Sequence, residues 1–552
     1  MSNRVEILPI GGLGEFGMNC LAIRYQDEII IVDAGLMFPD PHYWGVDIIV
    51  PDFSYLEENR DKVRALILTH SHEDHIGSVP FLLKTINIPV YSTPYTAAVL
   101  ASKLDEHNLL DEVLIHTVRP KQIVDLEPFQ IEFIRVSHST TDCAALAIRT
   151  PVGVIIHTGD FKFDETPVCG SPIDIASLRR YGDEGVLALL SDSTNVERPG
   201  RMYSEKDVIP ALENIFDKTT GRIIVSCFTS SIHRIQIIFD LAKIFRRRVT
   251  VIGRSMIRNI DTAESMRYLD IPDGILITPA DAQRLAPHQV TMLVTGCQGE
   301  PMSALSRMAV DNHKQAKILA GDTVVLSARQ IPGNEKSISR LINHLYKHHA
   351  KVYDSTSARV HVSGHGSQED LELMLDAVRP KYFIPIHGEY RQLYQHKQFA
   401  CQLGYKSDEV LLVESGDVIE LQEDSISITG KVSVGRRYID STGVGEIEDL
   451  IVRDRKRLAY DGIVVPIVAI NKATGLIDGK LEIVTRGVNI PDQEKEYQTK
   501  LLNLIVQTIA TSSKEEKQDE IIIKEKIRVE LKRFIQRGTG YRPMIIPVIV
   551  ET

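Results

Sequence analysis

Apolar residues in this chain fall into short β-branched and aliphatic runs, and several of those runs end on a histidine or an aspartate. In the first 200 residues Val5 to Pro9, Asn19 to Tyr25, Glu28 to Val32 and Ala65 to Thr69 read as strands. Ile131 to Val136 alternates before Ser137-His138, and Val152 to Ile156 leads into His157-Thr158-Gly159-Asp160. Lys381 to Ile386 precedes His387 in the same way, and His365 is read as the end of a further β-like run. From Ser204 the rhythm changes to helix (Ile209 to Phe216), strand (Arg222 to Cys227), helix (His233 to Ile244) and strand (Val249 to Ile252). Later strands follow at Val290 to Val294 and Thr323 to Leu326. That alternation predicts a parallel α/β domain inserted into the first. The polar stretch Glu423 to Glu448 reads as a linker. The remainder, with apolar segments Gly462 to Ile470 and Met544 to Val550 and a helix over Asp519 to Arg537, reads as a small α/β tail. The expected divisions are 1–203, an insert over 204–360, a return to the first domain over 361–422, a linker over 423–449 and a tail over 450–552.

The most specific segment is His70-Ser71-His72-Glu73-Asp74-His75, which lies between the strand ending at Thr69 and a helix starting near Val79. Residues two apart on extended backbone project to the same side, so His70 and His72 can bind one ion while Asp74 and His75 at the turn reach a second. Three histidines and an aspartate within six residues, bounded by apolar runs, are far from a random polar loop. Taken singly, His138 or His387 reads as an ordinary hydrogen-bonded histidine. Their shared placement at strand ends makes them ligands instead.

At this point the chain resembles a known superfamily. His-x-His-x-Asp-His, a later His, a later Asp and a far C-terminal His are the pattern of the metallo-β-lactamase fold, and the long gap from Asp160 to His387 implies a β-CASP insert. The match narrows to the bacterial ribonuclease J family through Gly11-Gly12-Leu13-Gly14-Glu15, Asp33-Ala34-Gly35, Ser191-Asp192-Ser193-Thr194-Asn195, Gly253-Arg254-Ser255-Met256, Thr295-Gly296-Cys297-Gln298-Gly299-Glu300-Pro301, His361-Val362-Ser363-Gly364-His365-Gly366-Ser367, Pro385-Ile386-His387-Gly388-Glu389-Tyr390 and Arg542-Pro543-Met544. The resemblance implies an α/β fold: a metallo-β-lactamase αββα sandwich, an inserted parallel α/β (β-CASP) domain and a small α/β C-terminal domain that supports dimers. It also implies two divalent ions, Zn²⁺ first and Mn²⁺ as the alternative. His70, His72 and His138 would take the first ion, Asp74, His75 and His387 the second, and Asp160 would bridge. Asp33 reads as a residue that orients a ligand histidine rather than a ligand itself. Asp74, His365 and Asp192 are the expected catalytic groups, Asp192 being otherwise a turn carboxylate.

His361, Ser363, Gly364, His365 and Gly366 read either as a structural turn before the helix Gln368 to Val378 or, by resemblance, as a pocket for the 5′-monophosphate of RNA. The implied activity is 5′→3′ exonuclease plus endonuclease action on RNA in maturation and decay. The implied assembly is a homodimer or homotetramer, or a hetero-oligomer with a paralogue. A hydrolase of this fold acting on DNA or a small thioester or lactam, and a scaffolding paralogue in an RNA-degradation assembly, are the competing readings. Two positions depart from the family pattern: Ser71 stands where Gly is usual, and Ser139-Thr140-Thr141-Asp142 where a Ser-Ile-Pro run is usual.

Composition changes little in this picture. At 552 residues, 43% apolar and 25% charged, the chain is ordinary for a multidomain globular protein. No apolar run approaches the roughly 18 residues that span a bilayer, and the start lacks a signal-peptide core, so a cytoplasmic protein without membrane contact is expected. The six cysteines have no pairing pattern and read as free thiols. A net charge of −11 is by itself ill suited to RNA, yet two bound divalent ions would add +4 locally. Basic clusters at Arg246-Arg247-Arg248, Arg436-Arg437 and Arg453 to Arg457 read mostly as solvated surface. Gly12-Leu13-Gly14-Glu15-Phe16-Gly17 mimics a dinucleotide-binding loop, but a strand rather than a helix is expected next, so no nucleotide cofactor is assigned.

Overall fold

A computed structural model describes residues 3–40, 43–331, 333–440, 446–447, 449–471, 474–488, 494–513, 516–517 and 519–552. The chain forms two compact units, residues up to 38 together with 49–436, and residues 39–48 together with 437–552.

The first unit rests on two sheets. One has eight strands in the order Ser425–Lys431, Asp417–Gln422, Val5–Gly11, Cys20–Tyr25, Glu28–Val32, Val63–Ile67, Val90–Ser92 and Ile115–Thr117. The other has six, in the order Tyr382–Ile386, Ala188–Asp192, Val154–His157, Ala144–Arg149, Phe129–Arg135 and Ile123–Leu126. Ile7, Ile23, Ile30 and Ile67 from the first sheet and Phe133, Leu146, Ile155 and Leu190 from the second fill one common core. The opposite face of the second sheet, with Ile134, Ala145, Ile156 and Phe383, is covered by Leu178, Leu371 and Leu375 of the helices Ile175–Glu184 and Gln368–Val378. Strands buried on both faces carry uninterrupted apolar runs, which is how they appear in the sequence. The helix Pro94–Glu106 packs on Val90–Ser92 and Ile115–Thr117 of the first sheet, completing the αββα layering.

Strand register positions the site. Val154–His157, Ala188–Asp192 and Tyr382–Ile386 run parallel, with Ile156 opposite Leu189 and Leu189 opposite Phe383, so His157, Asp192 and His387 emerge at neighbouring carboxyl ends. Asp192 itself pairs with Ile386. The inserted region carries a five-stranded, wholly parallel sheet in the order Arg248–Ile252, Val290–Val294, Ile223–Ser226, Thr323–Leu326 and Lys351–Tyr353. After Gly12-Leu13-Gly14 the chain enters the strand Cys20–Tyr25, not a helix.

Where the chain enters the insert, Arg234 donates to Glu205 at 2.8 Å and Lys162 Nζ lies 3.7 Å from the same carboxylate, all three residues being buried. Burial opposes the Glu205 charge, but Arg234 and Lys162 outweigh it and bring its pKa down to about 2. A carboxylate with a depressed folded-state pKa stabilises the native state above its ordinary pKa and loses that contribution as pH falls toward the folded value. Glu205→Gln should therefore cost about 3 kcal/mol at neutral pH, and the gap to the wild type should close as pH falls from about 4.5 to 2. Urea unfolding of both proteins across that range checks this; a gap that stays constant contradicts it.

Several expectations are corrected. The supposed linker is partly a strand, Ser425–Lys431, hairpinned against Asp417–Gln422. Its Ser-Ile-Ser-Ile-Thr alternation has the strand period, but it lies at an exposed sheet edge and so reads as polar. Arg436–Ile439 is a further strand, while residues 441–445 and 448 of that stretch lie outside the described residues. His365 does not end a strand; it sits in irregular chain before the helix Gln368–Val378. Arg247 is not solvated surface: it is buried and donates to the carbonyls of Gly221, Val290 and Thr219.

The second unit has its own core. Ile463–Ile470 pairs antiparallel with Glu482–Arg486 and parallel with Met544–Ile545 and Val548–Glu551. Val464 and Val468 pack against Ile505 and Ile509 of the helix Glu494–Thr511 and Ile527 and Leu531 of Glu520–Thr539. The segment 39–48 belongs to this unit, with Arg455 donating to the carbonyls of Trp44 and Gly45 at 3.2 and 3.1 Å. No cysteine is paired. Among the described residues no helix is long and apolar enough to cross a membrane.

Candidate metal centre

His70, His72, His138 and Asp160 offer ligand atoms all within 4.8 Å of one another, and so do Asp74, His75, Asp160 and His387. Asp160 belongs to both sets through different oxygens. Its Oδ2 is 3.6 Å from His70 Nε2 and from His138 Nε2, while its Oδ1 is 3.4 Å from His75 Nε2 and 3.7 Å from His387 Nε2. Asp74 Oδ2 closes the second set at 3.4 Å from His387 Nε2 and 3.7 Å from His75 Nε2.

The residues fit divalent cations. Ligand atoms roughly 2.1 Å from a tetrahedral ion stand about 3.4 Å apart, close to the spacings found here. His72 Nδ1 lies 3.1 Å from both His70 Nε2 and His138 Nε2. One ring nitrogen has either one lone pair or one proton, so it cannot make a proper hydrogen bond to both. Asp160 Oδ1 is buried without a hydrogen-bond partner, a costly arrangement for a carboxylate unless a cation serves it.

Each of the five histidines has its other nitrogen near an outer polar atom, which fixes the ring. His75 Nδ1 meets Asp33 Oδ2 at 2.7 Å, and Asp33 is itself held by the amide and hydroxyl of Thr69, both at 2.8 Å. Thr69 Oγ1 also lies 3.0 Å from His70 Nδ1. His138 Nδ1 meets the Gly364 carbonyl at 2.8 Å, His387 Nδ1 the Thr194 hydroxyl at 2.7 Å, and His72 Nε2 the Ser139 hydroxyl at 3.5 Å. Asn19 donates to the Asp74 carbonyl at 3.0 Å. Of these partners only Asp33 is expected from sequence reasoning. Thr69, Thr194 and Asn19 carry no periodic signal, although Thr194 lies inside the Ser-Asp-Ser-Thr-Asn motif.

Burial, reinforced by neighbouring histidines, holds His70 and His138 well below the usual imidazole range and brings His72 to about 4, leaving the neutral form that donates a lone pair. At His75 and His387 burial acts in the same direction but Asp160 and the other carboxylates prevail, raising both. Burial likewise works against the Asp74 and Asp160 charges, and the surrounding histidines overcome it.

On one side of Asp160 stands a pair of a different kind. His365 Nδ1 is 2.7 Å from Asp192 Oδ2 and 3.9 Å from Asp160 Oδ2. Burial would lower His365, but Asp192 and Asp160 raise it. Asp192 also caps its own turn by accepting from the Thr194 amide at 2.9 Å. His157 stays outside the cluster, its Nδ1 accepting from the Gly159 amide.

The loop expected to cradle a phosphate differs from the expectation. The His365 amide donates to Ser363 Oγ, Gly366 to the Phe161 carbonyl at 2.7 Å and Ser367 to Asp370, so these backbone donors are already committed. The Ser363 hydroxyl proton and the Gly364 amide are among the loop donors that these bonds leave unused. His361 lies instead beside Arg234 and Glu205, with burial and Arg234 taking its pKa down to about 3. Gly364 allows close packing: a Cβ there would come within 2.7 Å of the His138 ring and 2.8 Å of the Ser139 amide. The two departures from the family pattern meet, with Ser71 Oγ and Thr140 Oγ1 3.3 Å apart in the interior.

A two-sheet αββα sandwich with an inserted parallel α/β domain, a His/Asp cluster at its strand ends and a far C-terminal histidine defines the metallo-β-lactamase class of hydrolases. Residues 13–218 match the metallo-beta-lactamase superfamily, 220–345 the ribonuclease J beta-CASP domain, 356–407 the Zn-dependent metallo-hydrolase RNA specificity domain and 450–552 the ribonuclease J C-terminal domain. The chain is similar to Ribonuclease J of Synechocystis sp., with 42% identity over 92% of this chain and 78% of that one. It is 39% identical to Ribonuclease J 1 of Streptococcus pyogenes (99% and 98% covered) and 37% identical to Ribonuclease J2 of Bacillus subtilis (100% and 99%). A solved protein of unknown function from Enterococcus faecalis shares the fold, with a TM-score of 0.53 and 16% identity over 76% of this chain and all of that one. The chain belongs to the ribonuclease J family, and with it to the metal-dependent ribonucleases, whose substrate is RNA.

Proposed function

We propose that the chain is a two-metal ribonuclease that removes nucleotides from the 5′ end of RNA and also cuts internally, acting in the cytoplasm on transcripts under maturation or decay. The observation that carries this reading is Asp160, whose two oxygens face two separate ligand sets. His70, His72 and His138 would hold one ion, Asp74, His75 and His387 the other, with Zn²⁺ favoured by nitrogen-rich ligation and Mn²⁺ the alternative. Bound there, such ions supply Lewis acidity that polarises a phosphodiester and acidifies water. The remaining chemistry belongs to the chain. Asp192 on His365 Nδ1 sets the tautomer and favours the protonated ring, so Nε2 is the nitrogen left to pass a proton to the departing ribose oxygen. The neighbouring carboxylates hold that proton until the oxygen demands it. Thr194, Asp33 and the Gly364 carbonyl keep the ligand rings from rotating. Among the described residues the C-terminal unit contributes no ligand, and it would serve self-association or pairing with a paralogue.

At the 5′ end the Ser363 hydroxyl and Gly364 amide would meet a terminal monophosphate, with little room beyond for a triphosphate. Exonucleolytic release should be about tenfold or more faster on monophosphorylated RNA, since a charge-assisted hydrogen bond is worth roughly 1.5–3 kcal/mol. Ser363→Ala should shrink that preference and spare internal cleavage. Product ladders from the two RNAs decide it; equal rates would leave the loop with a structural role only.

A further inference from the structure

Arg329 follows the strand Thr323–Leu326 of the insert, at the carboxyl ends of the parallel sheet, where open α/β sheets take their ligands. The Gln298 side chain, from the loop after Val290–Val294, donates to the Arg329 carbonyl at 2.8 Å and so holds its backbone. Arg329 Nη1 donates to Asn195 Oδ1 at 2.9 Å, and the Asn195 amide donates to Ser363 Oγ and to the His365 carbonyl, both at 2.9 Å. A cation of the inserted domain thus stands two hydrogen bonds from the loop that carries His365.

Its charge is not balanced. Among the described residues no carboxylate lies within ion-pair distance of Arg329. The charged groups that bear on it are Arg198, Glu197 and Arg391. Glu197 is already engaged by Arg391 at 3.2 Å and by Gln395 at 3.2 Å, and Arg391 has Glu389 at 2.8 Å besides. Three guanidinium groups therefore face two acids, Glu197 and Glu389, both already engaged by Arg391. Arg329 is exposed and its guanidinium stays charged, so an anion can reach it. A guanidinium whose fork is only partly used by a neutral amide suits a phosphate, which it can bind in bidentate fashion.

We propose that Arg329 binds a backbone phosphate of the RNA strand on the inserted-domain side of the metal centre, with Asn195 orienting its guanidinium. This rests on the ribonuclease reading. The test is equilibrium binding of the metal-loaded full chain to a fluorescent, fully phosphorothioate single-stranded RNA that resists cleavage, measured by anisotropy over a series of salt concentrations. Removing one phosphate contact on a single strand should flatten the slope of log K against log salt by about 0.7. Arg329→Gln should show that flattening together with about tenfold weaker binding, while Arg329→Lys, which keeps the charge, should keep the wild-type slope. Arg329→Gln with the wild-type slope overturns the inference, as does Arg329→Lys flattening the slope as much as Arg329→Gln, since the residue would then act only through Asn195. If the wild type cleaves RNA in either case, the ribonuclease reading stands; a wild type that neither binds nor cleaves RNA overturns both. Thermal melting of the variants separates lost binding from lost folding.

Discussion

Asp160→Ala should leave a folded chain that hydrolyses RNA about a thousandfold more slowly or not at all. Asp160 is the one residue shared by both ligand sets, and its Oδ1 has no protein hydrogen bond to lose. Removing it withdraws a negative charge from among five histidines and unlinks the two positions. Loss of several kcal/mol of transition-state stabilisation corresponds to three decades or more in rate. The fold should survive, because Asp160 sits in a loop after Val154–His157 and the sheet core is built from Ile155, Leu146 and Leu190. Circular dichroism, metal content and turnover measured on the same preparation check all three parts. Wild-type turnover at matched metal content would remove Asp160 from the site.

Gly35→Ala should be nearly as damaging although Gly35 is no ligand. A Cβ on Gly35 would lie 1.6 Å from the Asp74 carbonyl oxygen and 2.1 Å from its carbon, both rigid backbone. The Asp74–His75 segment cannot retreat freely. The Ala34 amide bonds the His75 carbonyl at 2.8 Å, Leu36 the Glu73 carbonyl at 2.9 Å, and Asn19 the Asp74 carbonyl at 3.0 Å. The clash must displace two ligands of the second position or open the turn, and a misplacement of about 1 Å costs on the order of a hundredfold in rate. Overpacking adds roughly 1–3 kcal/mol of destabilisation. The expected result is a chain that retains less metal than the wild type, melts lower and turns over at about one per cent of the wild-type rate. Full metal occupancy with normal turnover would show that the turn relaxes without moving Asp74 and His75.

What the sequence reveals of this site follows from how each group is attached. His70, His387 and Asp160 follow strands whose apolar runs are continuous because both faces are buried, so the chemistry appears as a polar break at the end of a legible element. The parallel sheet of the insert is readable for the same reason. His365 lacks that marker, being placed by an irregular loop whose shape comes from Asn195, Ser363 and the tight approach of Gly364 to His138. The outer partners of the ligands are hidden because they are joined by tertiary contact: Thr194 and His387 are 193 residues apart, His138 and Gly364 226. The edge strand Ser425–Lys431 and the assignment of residues 39–48 to the C-terminal unit were equally illegible, since exposed polar faces and remote pairing leave no apolar period to count. In the loop Ser363 to Ser367 the glycine-rich motif suggests more free amides than the folded chain leaves, since those of His365, Gly366 and Ser367 are already used.

The account stands or falls on metal-dependent hydrolysis at Asp160. The most direct measurement follows a 5′-end-labelled, monophosphorylated single-stranded RNA incubated with the purified full-length chain, with the chain after chelation, and with the chelated chain given back Zn²⁺ or Mn²⁺. Released mononucleotide that disappears on chelation and returns as two equivalents of metal are added is the predicted result. Undiminished release in excess chelator, or intact RNA with both equivalents bound, would contradict it.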